Sequence, residues 1–177
     1  MATDMVEFHT LFPDVAEKEV RTVQVKAESW AEEYAFVEHY CINPRCDCRR
    51  ILIFVVSRTG GQVASISHGL GPQKPGARGE KAKTFLDPAH KQSSQSRNLL
   101  RVFLGSALDG EYRDRLERHY RMVKEAVRDP ASPVHDALKR AGHRADAKPA
   151  HPLLGLLFGP DCACGSGKKE RDCCGRA

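Results

Sequence analysis

Tyr34-Ala35-Phe36-Val37-Glu38-His39-Tyr40-Cys41-Ile42-Asn43-Pro44-Arg45-Cys46-Asp47-Cys48-Arg49-Arg50-Ile51-Leu52-Ile53-Phe54-Val55-Val56 decides the fold of this 177-residue chain. Residues 34–40 alternate, with Tyr34, Phe36, Glu38 and Tyr40 on one face and Ala35, Val37, His39 and Cys41 on the other, the period of a strand. Residues 51–56 form an unbroken apolar run rich in β-branched and aromatic side chains, the mark of a strand covered on both faces. Asn43-Pro44 is turn chemistry. The reading is therefore an antiparallel pair joined by a knuckle that holds three cysteines.

Working outward, residues 20–25 read as a further strand, and residues 51–57 and 62–67 flank Thr59-Gly60-Gly61, a hairpin signal. Residues 69–83 carry no periodicity and are rich in Gly, Pro and Lys, as a loop is. Helical spacing follows. Leu99, Leu100, Phe103, Leu104, Ala107 and Leu108 make one amphipathic face; Tyr112, Leu116, Tyr120, Val123 and Val127 make a second. Ser132 as cap, Pro133 at the first helical position and Gly142 as stop mark a third helix. Strands followed by about three helices predict an α+β domain over residues 1–145. Residues 146–160 read as a linker, in which Leu153-Leu154-Gly155-Leu156-Leu157-Phe158, between Pro152 and Pro160, is an apolar anchor. Residues 161–177 are a separate tail. No stretch approaches the ~20 apolar residues that span a bilayer.

The knuckle offers Cys41, Cys46 and Cys48, three thiols of a tetrahedral shell. His39 is the nearest candidate for the fourth ligand, because residues two apart on a strand share a face; His68, at the end of the next strand, is its rival. A structural zinc site of three thiolates and one imidazole is the preferred reading. Two others stay open: cysteines that pack as small apolar residues, and a three-ligand site whose fourth position holds water, a catalytic arrangement for which no general acid or base is visibly placed. His9, His90, His119, His135, His143 and His151 read as surface or packing residues.

The tail holds the other cysteines: Cys162-Ala163-Cys164-Gly165-Ser166-Gly167-Lys168-Lys169-Glu170-Arg171-Asp172-Cys173-Cys174. A segment this short and polar cannot bury enough apolar surface to fold unaided, whereas a bound zinc contributes roughly 10–16 kcal/mol in small peptides. Cys162, Cys164, Cys173 and Cys174 complete a four-thiolate shell, Gly165 and Gly167 allow the chain to curl between the pairs, and Lys168, Lys169, Arg171 and Arg176 are placed to offset its net charge of −2. Residues 1–12 show no apolar run of the secretory kind, which predicts a cytoplasmic chain with reduced thiols and favours metal over disulfides. A phosphate-binding loop fails twice: Cys162 stands at the earlier glycine and Lys169 at the Ser/Thr. Zinc is the expected metal, and iron fits thiolates as well.

These residues resemble the SEC-C motif, the metal-binding tail of the protein-translocation ATPase SecA, which recurs on many small bacterial proteins. The resemblance covers about 161–177 and rests on the C-x-C spacing, Gly-Ser-Gly, two lysines, the eight-residue gap and the adjacent Cys-Cys. The chain departs from the motif at Glu170, where an aromatic residue is usual, and at Gly159-Pro160, where an Arg-Asn pair shortly precedes the first cysteine. In SecA-like proteins this tail is associated with the chaperone SecB and with the ribosome, so the resemblance implies a protein-docking role.

Charge is uneven. Residues 1–40 carry nine acids and three bases, a net of −6, so the remainder carries +11 to reach the overall +5. Between positions 69 and 97, Lys74, Arg78, Lys81, Lys83, Lys91 and Arg97 outnumber Glu80 and Asp87. Such a loop can touch nucleic acid, including ribosomal RNA, but lacks interleaved aromatics for base stacking. Three functions follow in order: a small zinc-binding adaptor whose tail docks to a partner such as SecB or the ribosome; a nucleic-acid-binding protein using the 69–97 loop; and a metalloenzyme at Cys41, Cys46 and Cys48. An enzyme is the least favoured, since no catalytic set is recognisable.

Overall fold

A computed structural model describes residues 5–27, 30–59, 61–71 and 84–142. The linker and its anchor, the four tail cysteines, and Lys74, Arg78, Lys81 and Lys83 of the basic loop lie outside the described residues.

The quoted stretch forms the centre of the sheet. β3 (Trp30–Cys41) and β4 (Arg50–Ser57) pair antiparallel with Tyr40 opposite Ile51, as their patterns predict. β5 (Gly61–Gly69) continues the hairpin, with Ile66 opposite Ile53, and β6 (Thr84–Leu86) closes that edge. On its other edge β3 is paired twice: β1 (Met5–Glu7) covers its end, Glu7 opposite His39, and β2 (Arg21–Ala27) covers its start, Arg21 opposite Phe36. β1 and β2 run in the same direction, so they act as one strand interrupted by a helical excursion, α1 (Phe8–Leu11) and α2 (Pro13–Glu19). The interruption falls beside Val37 and Glu38 of β3.

One face of the sheet meets the helices. Tyr34, Phe36 and Tyr40 of β3, Ile51, Ile53 and Val55 of β4, and Ala64 and Ile66 of β5 share a core with α4 (Gly110–Arg128), from which Tyr112, Leu116, Tyr120, Val123 and Val127 are all buried. Burying side chains of this size stabilises by about 1.5–3 kcal/mol each. Asp109 caps α4 by accepting from the Tyr112 amide at 2.8 Å. The opposite face holds a smaller apolar cluster of Ala35, Val37 and Val56. Residues 87–95 fold across its β5 side: Gln92 donates to the Ser65 carbonyl at 2.9 Å, and His90 packs on Phe54.

The helical count needs correction: α1 and α2 precede the three helices that the spacing predicts. Four and seven residues are too short for a periodic signal, although Pro13 stands at the start of α2 where proline is favoured. The first amphipathic face also needs correction. α3 (Ser96–Val102) passes into a π-helical turn over Phe103–Ala107, in which the Leu108 amide reaches back to the Phe103 carbonyl at 2.8 Å. The wider turn breaks the 3.6-residue period, so Phe103 and Ala107 stay buried while Leu104 is 46% exposed. α5 (Val134–Gly142) ends at the predicted glycine, and the Ser132 hydroxyl accepts from the Val134 amide. Among the described residues no helix is long and apolar enough to cross a membrane.

Candidate metal centre

The knuckle between β3 and β4 begins with a local turn. Asn43 Oδ1 accepts from the Arg45 amide at 3.0 Å, and the Asn43 carbonyl accepts from the Cys46 amide at 3.2 Å. Arg49 then takes a left-handed conformation, φ 44°, which turns the chain into β4. α4 holds the knuckle from outside. Lys124, buried at its base, donates to the Asn43 carbonyl at 3.0 Å; Arg128 donates to the Pro44 carbonyl at 3.3 Å; and Arg49 pairs with Glu117 at 2.6 Å while lying over the Tyr120 ring.

This bracing brings Cys41, Cys46 and Cys48 together, with one sulfur from each lying within 4.8 Å of the other two. Sulfurs on a tetrahedral ion at about 2.3 Å are roughly 3.8 Å apart, so a contraction of about 1 Å or less gives three legs of a metal shell. Cys41 is buried, Cys46 half-buried and Cys48 exposed, so the cluster opens toward solvent on its Cys48 side. A hydrogen bond from Cys48, aided by the Lys124 charge, draws the Cys46 thiol below its ordinary value. Cys48 is exposed as a residue, yet loss of solvation at its sulfur pushes that thiol up to about 11. A thiol that gives up its proton more readily, beside a second thiol, is a receptive start for a cation, which displaces the protons as it binds.

His39 is not among the groups that close to this span. It shares the Cys41 face of β3, as the spacing predicts, but its Nδ1 lies 3.2 Å from the Val37 carbonyl and its ring packs 4.2 Å from the Phe54 ring. His68 is on the other face, opposite Ile51, with Nδ1 2.8 Å from the Thr84 hydroxyl. Burial, with Arg113 and Arg50 nearby, depresses its value to about 4, so it sits in the core as a neutral ring.

A second polar cluster was not anticipated from the sequence. His119 is 1% exposed, stacks on Phe8, and has a carboxylate on each ring nitrogen: Glu38 on Nδ1 at 2.7 Å and Glu19 on Nε2 at 3.0 Å. The Tyr40 hydroxyl also donates to Glu38, at 2.6 Å. Both contacts of His119 are satisfied only by the doubly protonated ring, or by a neutral ring facing one protonated carboxyl. Although burial pushes it up, Glu19 is held below the usual carboxylate range by His119 and Arg118. The available signal was the acid excess of residues 1–40, which supply both carboxylates.

No family model, no curated protein and no solved structure matches this chain. The resemblance of residues 161–177 to the SEC-C motif therefore stands on its own residues.

Proposed function

We propose that the protein is a small cytoplasmic metal-binding adaptor, with zinc at Cys41, Cys46 and Cys48 and a second zinc at Cys162, Cys164, Cys173 and Cys174, whose tail docks to a protein partner. The observation that carries the metal half is the knuckle: three thiols of one eight-residue segment converge to 4.8 Å and are braced by a buried lysine from a different element. A turn that only packed cysteines as apolar residues has no need of a cation beside them. His39 joins the shell by rotating its ring away from Phe54; otherwise the fourth ligand comes from outside the knuckle.

The docking half rests on the resemblance of the tail, which points to a SecB-like chaperone or to the ribosome. The test is a pull-down from a lysate with the full chain, probed for both, with and without a chelator. Capture is expected with metal present, and is expected to disappear in Cys162→Ser/Cys164→Ser. Capture of either partner by the chelated wild type and by the variant at the level of the metal-loaded wild type, or no capture by the metal-loaded wild type, would overturn the docking role and leave the metal sites standing.

A further inference from the structure

The knuckle brings three sulfurs to a tetrahedral shell, and a fourth position is left to fill. Neither histidine stands in it, since His39 packs on Phe54 and His68 lies on the other face of the sheet. Imidazole, thiolate and carboxylate do not exhaust the donors a protein offers. A methionine thioether also binds metal, and it discriminates sharply between ions.

Strand pairing supplies such a sulfur. β1 runs along β3 with Met5 directly opposite Cys41. Residues opposite one another in an antiparallel pair share a face, with Cβ atoms about 4.5–5.5 Å apart. An unbranched methionine side chain adapts to a gap of that size. β1 flanks β3 on the edge away from β4, so Met5 approaches Cys41 from the side that the returning chain leaves. Met5 is half-buried, and among the described residues it belongs to neither apolar cluster, whereas its neighbour Val6 packs on the larger one.

We propose that Met5 is the fourth donor of the knuckle, and that Cys41, Cys46, Cys48 and Met5 together form an all-sulfur site for copper(I). Thiolates and a thioether are soft ligands that select this ion. Zinc takes thiolate, imidazole and carboxylate, so it gains nothing from Met5 and is held by the three thiolates when copper(I) is scarce. Copper(I) on three thiolates leaves a net charge of −2. Lys124 and Arg128, both fastened to carbonyls of the knuckle, offset it. The inference rests on the knuckle being a metal centre and adds which ion it prefers and why.

The test uses the full chain with its tail silenced by Cys162→Ser/Cys164→Ser/Cys173→Ser/Cys174→Ser. Copper(I) and zinc are each titrated without oxygen against a chromogenic chelator, with the knuckle intact and with Met5→Leu, a change that keeps apolar volume. Met5→Leu should weaken copper(I) about tenfold or more, as loss even of an outer-shell partner does at a metal site, and leave zinc within about twofold. X-ray absorption at the copper edge gives a second readout that needs no variant. Selenomethionine-labelled protein should show a selenium neighbour of the copper, absent after Met5→Leu. Tight binding of both ions, with no effect of Met5→Leu and no selenium neighbour, would overturn the role of Met5 and leave the metal centre standing. Equal weakening of the two ions would overturn the preference for copper(I). Binding of neither ion would overturn the metal centre itself, and this inference with it.

Discussion

The cysteine knuckle and the carboxylate–imidazole cavity are both built around β3, yet they are assembled in opposite ways. The knuckle takes its three thiols from a single turn and borrows only its bracing, Lys124, Arg128 and Glu117, from α4. The cavity takes Glu7 from β1, Glu19 from α2, Glu38 from β3 and His119 from α4, and exists only when those elements are docked. Local assembly leaves a site dependent on a ligand for its rigidity. Distributed assembly ties the site to the fold itself.

The largest expected difference between them appears on removing one member of each. His119→Ala leaves Glu38 and Glu19 without their shared partner inside the protein, and should cost about 3–5 kcal/mol in urea unfolding. Cys46→Ser in metal-free protein should stay within about 1 kcal/mol, since it deletes no packed core. Equal losses from the two would erase the contrast. Metal should reverse the order at the knuckle: zinc at a hundredfold over its Kd stabilises the wild type by about 2.7 kcal/mol, and chelation removes this while leaving the His119 network intact. Chelation without any change in unfolding midpoint would break that expectation.

Lys124→Met tests the bracing. It removes a charged donor from the Asn43 carbonyl while keeping the buried methylenes, so about 1.5–3 kcal/mol should be lost, together with metal affinity. Loss of stability with unchanged metal affinity would make Lys124 a tie to the backbone only.

The smallest net effect in the wild type is on pH, because two shifted groups oppose each other. Glu7 has its folded value raised to about 7 from 4.5, so its contribution is complete below 4.5 and lost as pH rises through 7. His68 has its folded value lowered to about 4 from 6.5, so its contribution is complete above 6.5 and lost as pH falls through 4. Each spans at most about 3.5 kcal/mol, at about 1.4 kcal/mol per unit. Glu7→Gln should therefore unmask a fall in stability on acidification from pH 6.5 to 4. His68→Gln should unmask a fall as pH rises from 4.5 to 7. Parallel pH profiles for the two variants would contradict the assignment.

The same contrast explains what was legible beforehand. β3, β4, β5 and α4 announce themselves through contiguous patterns: alternation over residues 34–40, an apolar run over 51–56, and Tyr112 through Val127 at helical spacing. The knuckle is legible because its three cysteines are neighbours in the chain. β1, α1 and β6 are three or four residues long, below any period, and exist through pairing and packing that only the tertiary structure supplies. Leu104 misleads because the π-helical turn shifts the face that spacing assigns to it. The cavity is least legible: Glu38 reads as one polar residue on a strand and His119 as packing, and their meeting across 81 positions has no local trace.

The decisive measurement is metal content by native mass spectrometry with elemental analysis, on full chain purified without an affinity metal column. The wild type is compared with Cys46→Ser/Cys48→Ser and Cys162→Ser/Cys164→Ser. Two metal ions in the wild type and one in each variant are expected, with zinc as the element. A single ion that persists in Cys46→Ser/Cys48→Ser and vanishes in Cys162→Ser/Cys164→Ser would contradict the metal centre at the knuckle and return Cys41, Cys46 and Cys48 to packing.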